Sequence, residues 1–330
     1  MTLPPDRVFT DGPLAGLEAW AVMIPMQLRY RRLRERRAVL LRGPGGWGEF
    51  SPFDEYRGLV AARWLASALE SALERLPTPV RDRIPVNVTV PPVPALLAAA
   101  LVRDSGCGTA KVKVAEAGQA FDQDLSRVAA VREALGERGF LRLDVNGAWG
   151  VDEAETRLRR LEEFDLQYVE QPCATLPELA ELRRRTEIPI AADESIRSGA
   201  SPEQIVTSQA ADILVMKVQP MGGVTRLLEW ASRTGLAVVP SSALETSVGL
   251  AAGLAAAAAL PELPYACGLA TSSLLAGDVV RRPLAPEGGE IHLRRPTPAP
   301  ELLERWRPSG DVACEMISRT EEAAALLHCL

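Results

Sequence analysis

Short apolar runs rich in valine, leucine and isoleucine recur along the chain from residue 85 and predict eight β-strands. The predicted strands are 86–90, 110–114, 141–145, 167–171, 188–192, 213–218, 237–240 and 265–268. Helical patterns separate most of them, at 121–137, 152–163, 176–185, 202–209, 224–234 and 245–260. Strands and helices that alternate at this spacing are typical of parallel βαβ units, and eight such strands predict a closed barrel of the α/β class.

The two ends of the chain do not show this alternation of strands and helices. Residues 1–84 predict an α+β unit, and residues 85–276 hold the barrel. The elements of the first unit are two strands, a glycine-rich turn and a helix, at 17–25, 38–42, 43–46 and 58–76. The segment 277–330 begins with a stretch rich in proline, glycine and arginine that offers no eighth barrel helix. The sequence therefore predicts a closed eight-stranded barrel without a helix after its last strand, and it predicts that this last segment packs back on the N-terminal unit.

Composition restricts the class of protein. The 330 residues are 47% hydrophobic and 24% charged, as in an ordinary globular chain. The net charge of -6 does not favour a nucleic-acid partner, and the longest apolar run, 250–260, is too short to span a membrane. Five cysteines without a CxxC pair, and an N-terminus without a signal-peptide pattern, predict a cytoplasmic protein. His292 and His328, the only histidines, lie far from every motif described below, which excludes histidine triads and HExxH zinc sites.

Three acidic residues stand at the ends of three successive predicted strands: Asp144, Glu170 and Asp193. A charge inside a parallel strand is costly because both faces of the sheet are covered, whereas the carboxyl ends of barrel strands carry the chemistry. Adjacent strands lie about 5 Å apart, so the three carboxylates can reach one ion. Oxygen-only ligation favours Mg²⁺, with Mn²⁺ as the alternative, over zinc. The competing interpretation is three unrelated acids that cap helices or pair with arginines.

Lysines stand at the ends of two further predicted strands. Lys111 and Lys113 share one face of the second strand, and Lys217 lies on the sixth, across the barrel mouth. A lysine beside a metal-bound carboxylate suits removal of a proton from the adjacent carbon. The alternative, lysines that keep a strand edge soluble, is weaker because a closed barrel has no edge. Asn146 and Glu194 follow metal candidates closely and are predicted to orient a ligand or pair with a lysine, with ordinary turn roles as the alternative.

These motifs, in this order, resemble those of the enolase superfamily and of its muconate-lactonizing branch. The residues that carry the resemblance are KVK at 111–113, DVNGAW at 144–149, VEQP at 169–172, DES at 193–195 and MKVQPMGG at 216–223. The resemblance covers nearly the whole chain and implies a (β/α)7β barrel with an N-terminal α+β capping domain. Within the branch, GWGEFSPF at 46–53 and SSALETSVGL at 241–250 make the chain most similar to the o-succinylbenzoate synthase family.

The resemblance also implies a reaction, the metal-assisted syn dehydration of 2-succinyl-6-hydroxy-2,4-cyclohexadiene-1-carboxylate to o-succinylbenzoate in menaquinone biosynthesis. Lys113 would remove the proton beside the ring carboxylate and then protonate the departing hydroxyl. Lys217 would stabilise the enediolate from the opposite face, and Lys111 would hold a carboxylate oxygen of this small-molecule substrate. The substrate-binding positions would be Ser241, Ser242 and Gly268. For those three, a plain turn or a packing role is the alternative.

Other activities of the branch remain open at this point. An N-succinylamino acid racemase needs two acid/base groups on opposite faces of its substrate, and Lys113 with Lys217 also supply these. Muconate cycloisomerisation has weaker support from the motifs, and the acidic DxD motif of a dipeptide epimerase is absent after the eighth strand. A remote alternative is a non-catalytic barrel that binds a metal and a carboxylate. The sequence predicts no particular oligomeric state.

An arginine-rich stretch, 29–37, lies where the capping loop of this family covers the barrel mouth. The favoured interpretation is a solvated hairpin. The alternative is that one or more of these arginines attracts a dianionic substrate.

Overall fold

The computed structural model describes residues 3–30, 33–197 and 199–330. Its N-terminal part is an antiparallel sheet of four strands in chain order. They are β1 (Arg7–Val8), β2 (Glu18–Tyr30), β3 (Leu33–Gly43) and β4 (Gly46–Phe50). Helix α1 (Gly58–Leu73) covers this sheet. It approaches β4 so closely that a Cβ atom on Gly48 would lie 1.9 Å from the carbonyl oxygen of Ala68, and only glycine fits there.

The central part of the chain is the predicted barrel. Its eight parallel strands are β5 (Arg83–Val90), β6 (Thr109–Lys113), β7 (Phe140–Asp144), β8 (Leu166–Glu170), β9 (Ile190–Ala192), β10 (Ile213–Lys217), β11 (Ala237–Ser241) and β12 (Cys267–Ala270). Each strand pairs with the next along the chain, and β12 pairs in parallel with β5. That last pairing closes the barrel and confirms the predicted fold class.

Helices follow the first seven barrel strands. They are α2 (Ala95–Ser105), α3 (Phe121–Leu135), α4 (Val151–Leu161), α5 (Leu176–Arg183), α6 (Glu194–Arg197), α7 (Pro202–Ser208), α8 (Val218–Met221), α9 (Val224–Thr234) and α10 (Ser247–Ala259). Helix α2 was not predicted from the sequence, because Leu96 and Leu97 face outward and hide the polar face that marks an amphipathic helix. None of the helices in the described ranges is both long enough and apolar enough to cross a bilayer.

Three predicted barrel strands need correction by two residues or more, and the N-terminal sheet has four strands where two were predicted. The first barrel strand begins at Arg83, not at residue 86. The eighth strand is Cys267–Ala270, not 265–268, so Gly268 lies within the strand and not at its end. The fifth strand begins only at Ile190, and the preceding Pro189 has no amide hydrogen for a strand ladder.

The C-terminal segment contributes β13 (Glu290–His292), α11 (Pro300–Arg305) and α12 (Gly310–Ala324). Strand β13 pairs antiparallel with the first residues of β5. Helix α12 packs against α1, and its Met316 and Ile317 share an apolar cluster with Trp64 and Phe50. The domain boundaries at residues 84 and 276 stay predictions, but these contacts show which faces of the N-terminal part the last helix covers.

Candidate active site at the barrel mouth

Asp144, Glu170 and Asp193 lie at the carboxyl ends of three adjacent strands. Asp144 and Glu170 are the last residues of β7 and β8 and stand opposite each other in the register, whereas Asp193 directly follows β9. All three side chains are buried. Buried carboxylates that stand this close repel each other, so each needs a positive partner.

Lys111 and Lys113 supply that partner for the first two acids. The Lys111 ammonium donates to both oxygens of Glu170, at 3.0 and 2.7 Å, and its Nζ lies 3.4 Å from Oδ2 of Asp144. Lys113 donates to Asp144 and, at 2.6 Å, to Oδ1 of Asn146. Both lysines therefore point into the barrel from β6, as their shared strand face predicts.

Asp193 is held from two sides. Lys217, the last residue of β10, donates to its Oδ2 at 2.5 Å, and Arg197 of α6 donates to both carboxylate oxygens at 3.0 and 3.2 Å. The turn itself is fixed by Gln171, whose Oε1 accepts from the amides of Asp193 and Ser195 at 3.0 and 3.1 Å. Arg197 was not predicted as a site residue, although its position four residues after Asp193, at the end of the short helix α6, is a recognisable signal for a salt bridge.

Asn146 and Glu194 connect these groups above the acids. Asn146 Nδ2 donates to Glu194 Oε1 at 2.8 Å, and Arg197 donates to the same carboxylate. Arg197 also donates to the hydroxyl of Tyr56, at 2.9 Å, so the N-terminal part of the chain reaches the site. The structure thus places Asn146 in contact with Lys113 and with Glu194, close to the acids that the two residues follow in the sequence.

The electrostatics differ from one group to the next. Burial, with the nearby charge of Asp144, raises the pKa of Glu170 to about 7. Burial alone would raise the pKa of Asp144 as well, but Lys113 and Lys111 outweigh it and hold the pKa well below its usual range. Burial, assisted by Arg197 and opposed by Asp193, lowers the pKa of Lys217 to about 8. A lysine with a lowered pKa can act as a base near neutral pH.

The three carboxylates fit a hard divalent cation by donor type and by charge. They offer only oxygen atoms, and their buried negative charge is balanced here by lysine and arginine. In the described ranges no three histidine, cysteine or acidic side chains converge closely enough to hold a metal ion in this conformation. Each of the three site carboxylates instead pairs with a cationic side chain. A divalent cation would take over part of the charge balance that these side chains now provide.

Ser241, Ser242 and Gly268 line the wall of a small cavity that Lys111, Asp144 and Lys217 also line. The Ser241 hydroxyl donates to the carbonyl oxygen of Gly268 at 3.3 Å. The Ser242 hydroxyl donates to Glu245 at 2.5 Å and accepts from the Leu244 amide at 2.9 Å, which are contacts of a turn. The structure places both serines at the site, while their contact with substrate stays a prediction.

We expect Gly268→Ala to disturb this wall. A Cβ atom there would lie 2.4 Å from Oγ of Ser241, so the serine has to move. We expect a loss of about 1–3 kcal/mol in unfolding free energy and a raised KM. Gly108→Ala is the control, because a Cβ atom at Gly108 meets nothing within 4 Å. Urea unfolding measures the unfolding free energy and steady-state kinetics measure KM. Equal values of both in the two variants would contradict a steric clash between the new methyl group and Ser241.

Glu49 of β4, which was also not predicted from the sequence, is a buried acid that joins the N-terminal part to the barrel. Its carboxylate accepts from the amide and hydroxyl of Thr246, from the Gly249 amide at 3.0 Å and from the Ser51 hydroxyl at 2.8 Å. It therefore caps the first turn of α10 from another part of the chain. Burial raises the pKa of Glu49 to about 7, against the effect of its Thr246 hydrogen bond, with Glu245 adding to the rise.

This shift predicts a pH-dependent stability difference between the wild type and Glu49→Gln. A carboxyl group whose folded pKa is raised contributes stability that is present below its unfolded pKa, near 4.5, and is lost as pH rises through about 7. Glutamine does not titrate, so the unfolding free energy of the variant should improve relative to the wild type between pH 5 and pH 8. The change is at most on the order of 3 kcal/mol. Urea unfolding at both pH values tests it, and a constant difference would rule out the titration.

Within the described part of the arginine-rich stretch, Arg36 departs from the predicted solvated hairpin. Arg36 is buried, donates to the carbonyl oxygens of Leu244, Ala243 and Ser51, and lies over the ring of Phe53. It holds the loop after β11 and does not lie in solvent. Positions 31 and 32 of the stretch lie outside the described residues.

The fold and the site together define a capped barrel with three acids and three lysines at its mouth, and known proteins share its fold. The family model described as enolase C-terminal domain-like matches residues 95–299, and the enolase N-terminal domain-like model matches residues 21–72. Among solved structures, the muconate lactonizing enzyme from Pseudomonas fluorescens, complexed with muconolactone, is similar with a TM-score of 0.76. The match covers 88% of this chain and 98% of that one at 22% sequence identity, so it shows the fold alone.

Curated relatives are more similar in sequence. An o-succinylbenzoate synthase of Thermobifida fusca (strain YX) is 58% identical over 83% of this chain and 87% of the relative. One of Mycobacterium tuberculosis (strain ATCC 25618 / H37Rv) is 49% identical over 92% of this chain and 90% of the relative. The chain belongs to the enolase superfamily and, within it, to the family of o-succinylbenzoate synthases. Members of this superfamily use a divalent metal.

Proposed function

We propose that the chain is a lyase that dehydrates 2-succinyl-6-hydroxy-2,4-cyclohexadiene-1-carboxylate to o-succinylbenzoate, a step of menaquinone biosynthesis. Curated o-succinylbenzoate synthases that are 48–58% identical over most of the chain support this function. The single structural observation that carries it is the buried set of three acids and three lysines at the barrel mouth. The chemistry of that set suits removal of a proton beside a carboxylate.

Lys113 is the base in this proposal. Its ammonium is held by Asp144 and Asn146 at the end of β6, and the neutral amine takes the proton on the carbon beside the ring carboxylate. The electron pair of that carbon–hydrogen bond first delocalises onto the ring carboxylate as an enediolate, and it then forms the new ring double bond as the carbon–oxygen bond of the hydroxyl breaks. The Lys113 ammonium returns its proton to the departing hydroxyl, so water leaves from the same face. The ring becomes aromatic, which makes the elimination favourable.

Lys217 and Lys111 stabilise the negative charge that forms between these two steps. Lys217 is the last residue of β10, and Lys111 lies near the end of β6, so the two lysines flank the acids from different strands. Lys217 faces the side of the ring opposite Lys113 and stabilises the enediolate as a positive charge, while Lys111 binds a carboxylate oxygen. Ser241 and Ser242 bind the succinyl carboxylate, beside the backbone that Gly268 leaves accessible.

Asp144, Glu170 and Asp193 hold the divalent cation, which we propose to be Mg²⁺, with Mn²⁺ able to replace it because both prefer oxygen ligands. When bound, the ion supplies electrostatic stabilisation of the substrate carboxylate as negative charge develops on it. Asn146 and Glu194 orient the groups around the ion, as their hydrogen bonds to Lys113 and Arg197 indicate. We place the protein in the cytoplasm, whose reducing conditions suit its five free cysteines.

The proposal is tested by product analysis. Purified protein with Mg²⁺ and the hydroxycyclohexadiene carboxylate should yield o-succinylbenzoate, identified by mass and by its aromatic absorbance. Addition of excess EDTA should stop the reaction, and Mg²⁺ in excess of EDTA should restore it. Folded, metal-loaded protein that leaves the substrate unchanged would contradict the proposal.

A second activity, racemisation of N-succinylamino acids, is favoured by one observation. Lys113 and Lys217 reach the site from β6 and β10, and such an arrangement can deliver and remove a proton on opposite faces of a carbon. In deuterated buffer, a racemase would exchange the α-proton of an N-succinylamino acid and interconvert its enantiomers. We expect the kcat/KM for dehydration to exceed that for racemisation.

A further inference from the structure

Two charged residues of helix α3 form a buried ion pair beside β6. Arg127 Nη1 lies 2.7 Å from Oδ1 of Asp124, and the two side chains are 2% and 1% exposed. An ion pair that is removed from water this completely is costly unless its hydrogen bonds are satisfied. Neither residue has a role in the proposed reaction, so the purpose of this buried ion pair needs a separate explanation.

The contacts lead to the backbone on both sides of Val114. Arg127 Nη1 donates to the carbonyl oxygen of Lys113 at 2.9 Å, and Asp124 Oδ2 accepts from the amide of Ala115 at 2.8 Å. Ala115 has a φ of 61°, a left-handed conformation that is strained for a residue with a Cβ atom. The pair thus holds the chain where β6 ends and where the backbone turns away from the barrel.

The remaining donors of Arg127 bind neighbouring loops. Nε donates to the carbonyl oxygen of Val93 at 2.8 Å, and Nη2 donates to Oε1 of Gln119 at 2.6 Å. Gln119 in turn donates to the carbonyl oxygen of Pro92 at 3.1 Å. One guanidinium therefore joins the loop after β5 to the end of β6, and its fork of donors is satisfied by fixed acceptors.

We propose that Arg127 and Asp124 are positioning residues that set the place of Lys113 in the site. This inference rests on the proposed role of Lys113 as the base. The ammonium of Lys113 is held on the barrel side by Asp144 and Asn146, and its carbonyl is held on the helix side by Arg127. A small displacement of the last residue of β6 moves the base away from the proton it removes, and proton transfer is sensitive to such displacements.

The kinetic test compares Arg127→Gln with Arg132→Gln. Arg132 lies on the same helix and donates to the backbone carbonyls of Gly136 and Gly139, before β7, and of Phe164, before β8. We expect Arg127→Gln to lower kcat about 10- to 100-fold with KM within about threefold, while Arg132→Gln keeps kcat. Arg127→Lys retains the positive charge but not the forked N–H donors of the guanidinium, and its kcat should lie between those of the wild type and Arg127→Gln.

A second readout does not depend on turnover. The chain contains only three lysines, and each is followed by a valine: Val112, Val114 and Val218. Labelling with carbonyl-¹³C lysine and ¹⁵N valine therefore gives three correlations in a carbonyl–amide NMR spectrum. In Arg127→Gln the carbonyl shift of Lys113, seen at Val114, should move upfield, while the correlation at Val218 stays in place.

The outcomes separate the inference from the proposed function. A wild type that does not dehydrate the substrate refutes the proposed function, and the Lys113 carbonyl shift then decides alone whether Arg127 holds that backbone. If the wild type is active, equal kcat values in Arg127→Gln and Arg132→Gln overturn the positioning role. An unchanged Lys113 carbonyl in Arg127→Gln overturns it as well.

Discussion

Lys113→Met lowers the rate of dehydration about 10⁴-fold, the upper range for loss of a general acid–base group. In our account the same amine removes the proton and returns it to the hydroxyl, so both steps lose their catalyst. The variant also removes one of the two lysines that pair with Asp144 and leaves Lys111 in place. Steady-state kinetics with saturating Mg²⁺ measure the loss, and thermal unfolding shows that the barrel is still folded.

Lys113→Arg separates the two tasks of this residue. Arginine keeps a positive charge near Asp144 and Asn146 but does not deprotonate in proteins. We expect it to be as inactive as Lys113→Met. An arginine variant within about tenfold of the wild-type rate would mean that this position supplies only charge, and the base would have to be sought elsewhere.

Asp193→Asn removes metal binding and activity together. Asp193 is the acid that Lys217 and Arg197 both bind, and the amide keeps its size while it loses the charge that a divalent cation needs. We expect the Kd for Mg²⁺, from titration calorimetry, to rise by about 10²-fold or more.

Asp212→Asn is the matched control for this loss. Asp212 directly precedes the first residue of β10, whereas Lys217 is the last residue of that strand. Asp212 pairs with Arg183 and accepts a hydrogen bond from the Ile190 amide. Its replacement lowers stability but leaves the Mg²⁺ affinity unchanged. Wild-type Mg²⁺ affinity in Asp193→Asn would contradict the ligand role.

The barrel could be predicted because its signals are local and repeat. Each parallel strand is buried on both faces and therefore appears as an apolar run, and a charge tolerated at its end marks the barrel mouth. Asp144, Glu170 and Lys217 are such charges, and the structure brings all three to the predicted place. The order of the strands in the closed sheet also follows directly from their order in the chain.

Features that depend on distant contacts could not be predicted in this way. Glu49 caps a helix that begins almost two hundred residues later, and nothing near it in the sequence indicates this. Arg36 looks like one of several solvated arginines until the loop that it binds is in place. Strand β13 is only three residues long, and helix α12 derives much of its burial from α1, so neither has a strong signal of its own.

The scarcity of lysine gives the site an unusual property. The sequence contains lysine only at positions 111, 113 and 217, and all three side chains are buried at the barrel mouth. Apart from the two histidines, all other basic side chains are arginines. An arginine side chain does not deprotonate in proteins, so it cannot serve as a base at neutral pH. Lysine-specific labels therefore report on the site alone, apart from the N-terminal amine.

The most direct test of the account follows the diene absorbance of 2-succinyl-6-hydroxy-2,4-cyclohexadiene-1-carboxylate with wild-type protein and Mg²⁺, in the presence and absence of EDTA. We predict rapid loss of the absorbance, and we predict that EDTA stops this loss. Loss that continues unchanged in EDTA would contradict the role of the three acids, and no loss with folded, Mg²⁺-loaded protein would contradict the proposed dehydration itself.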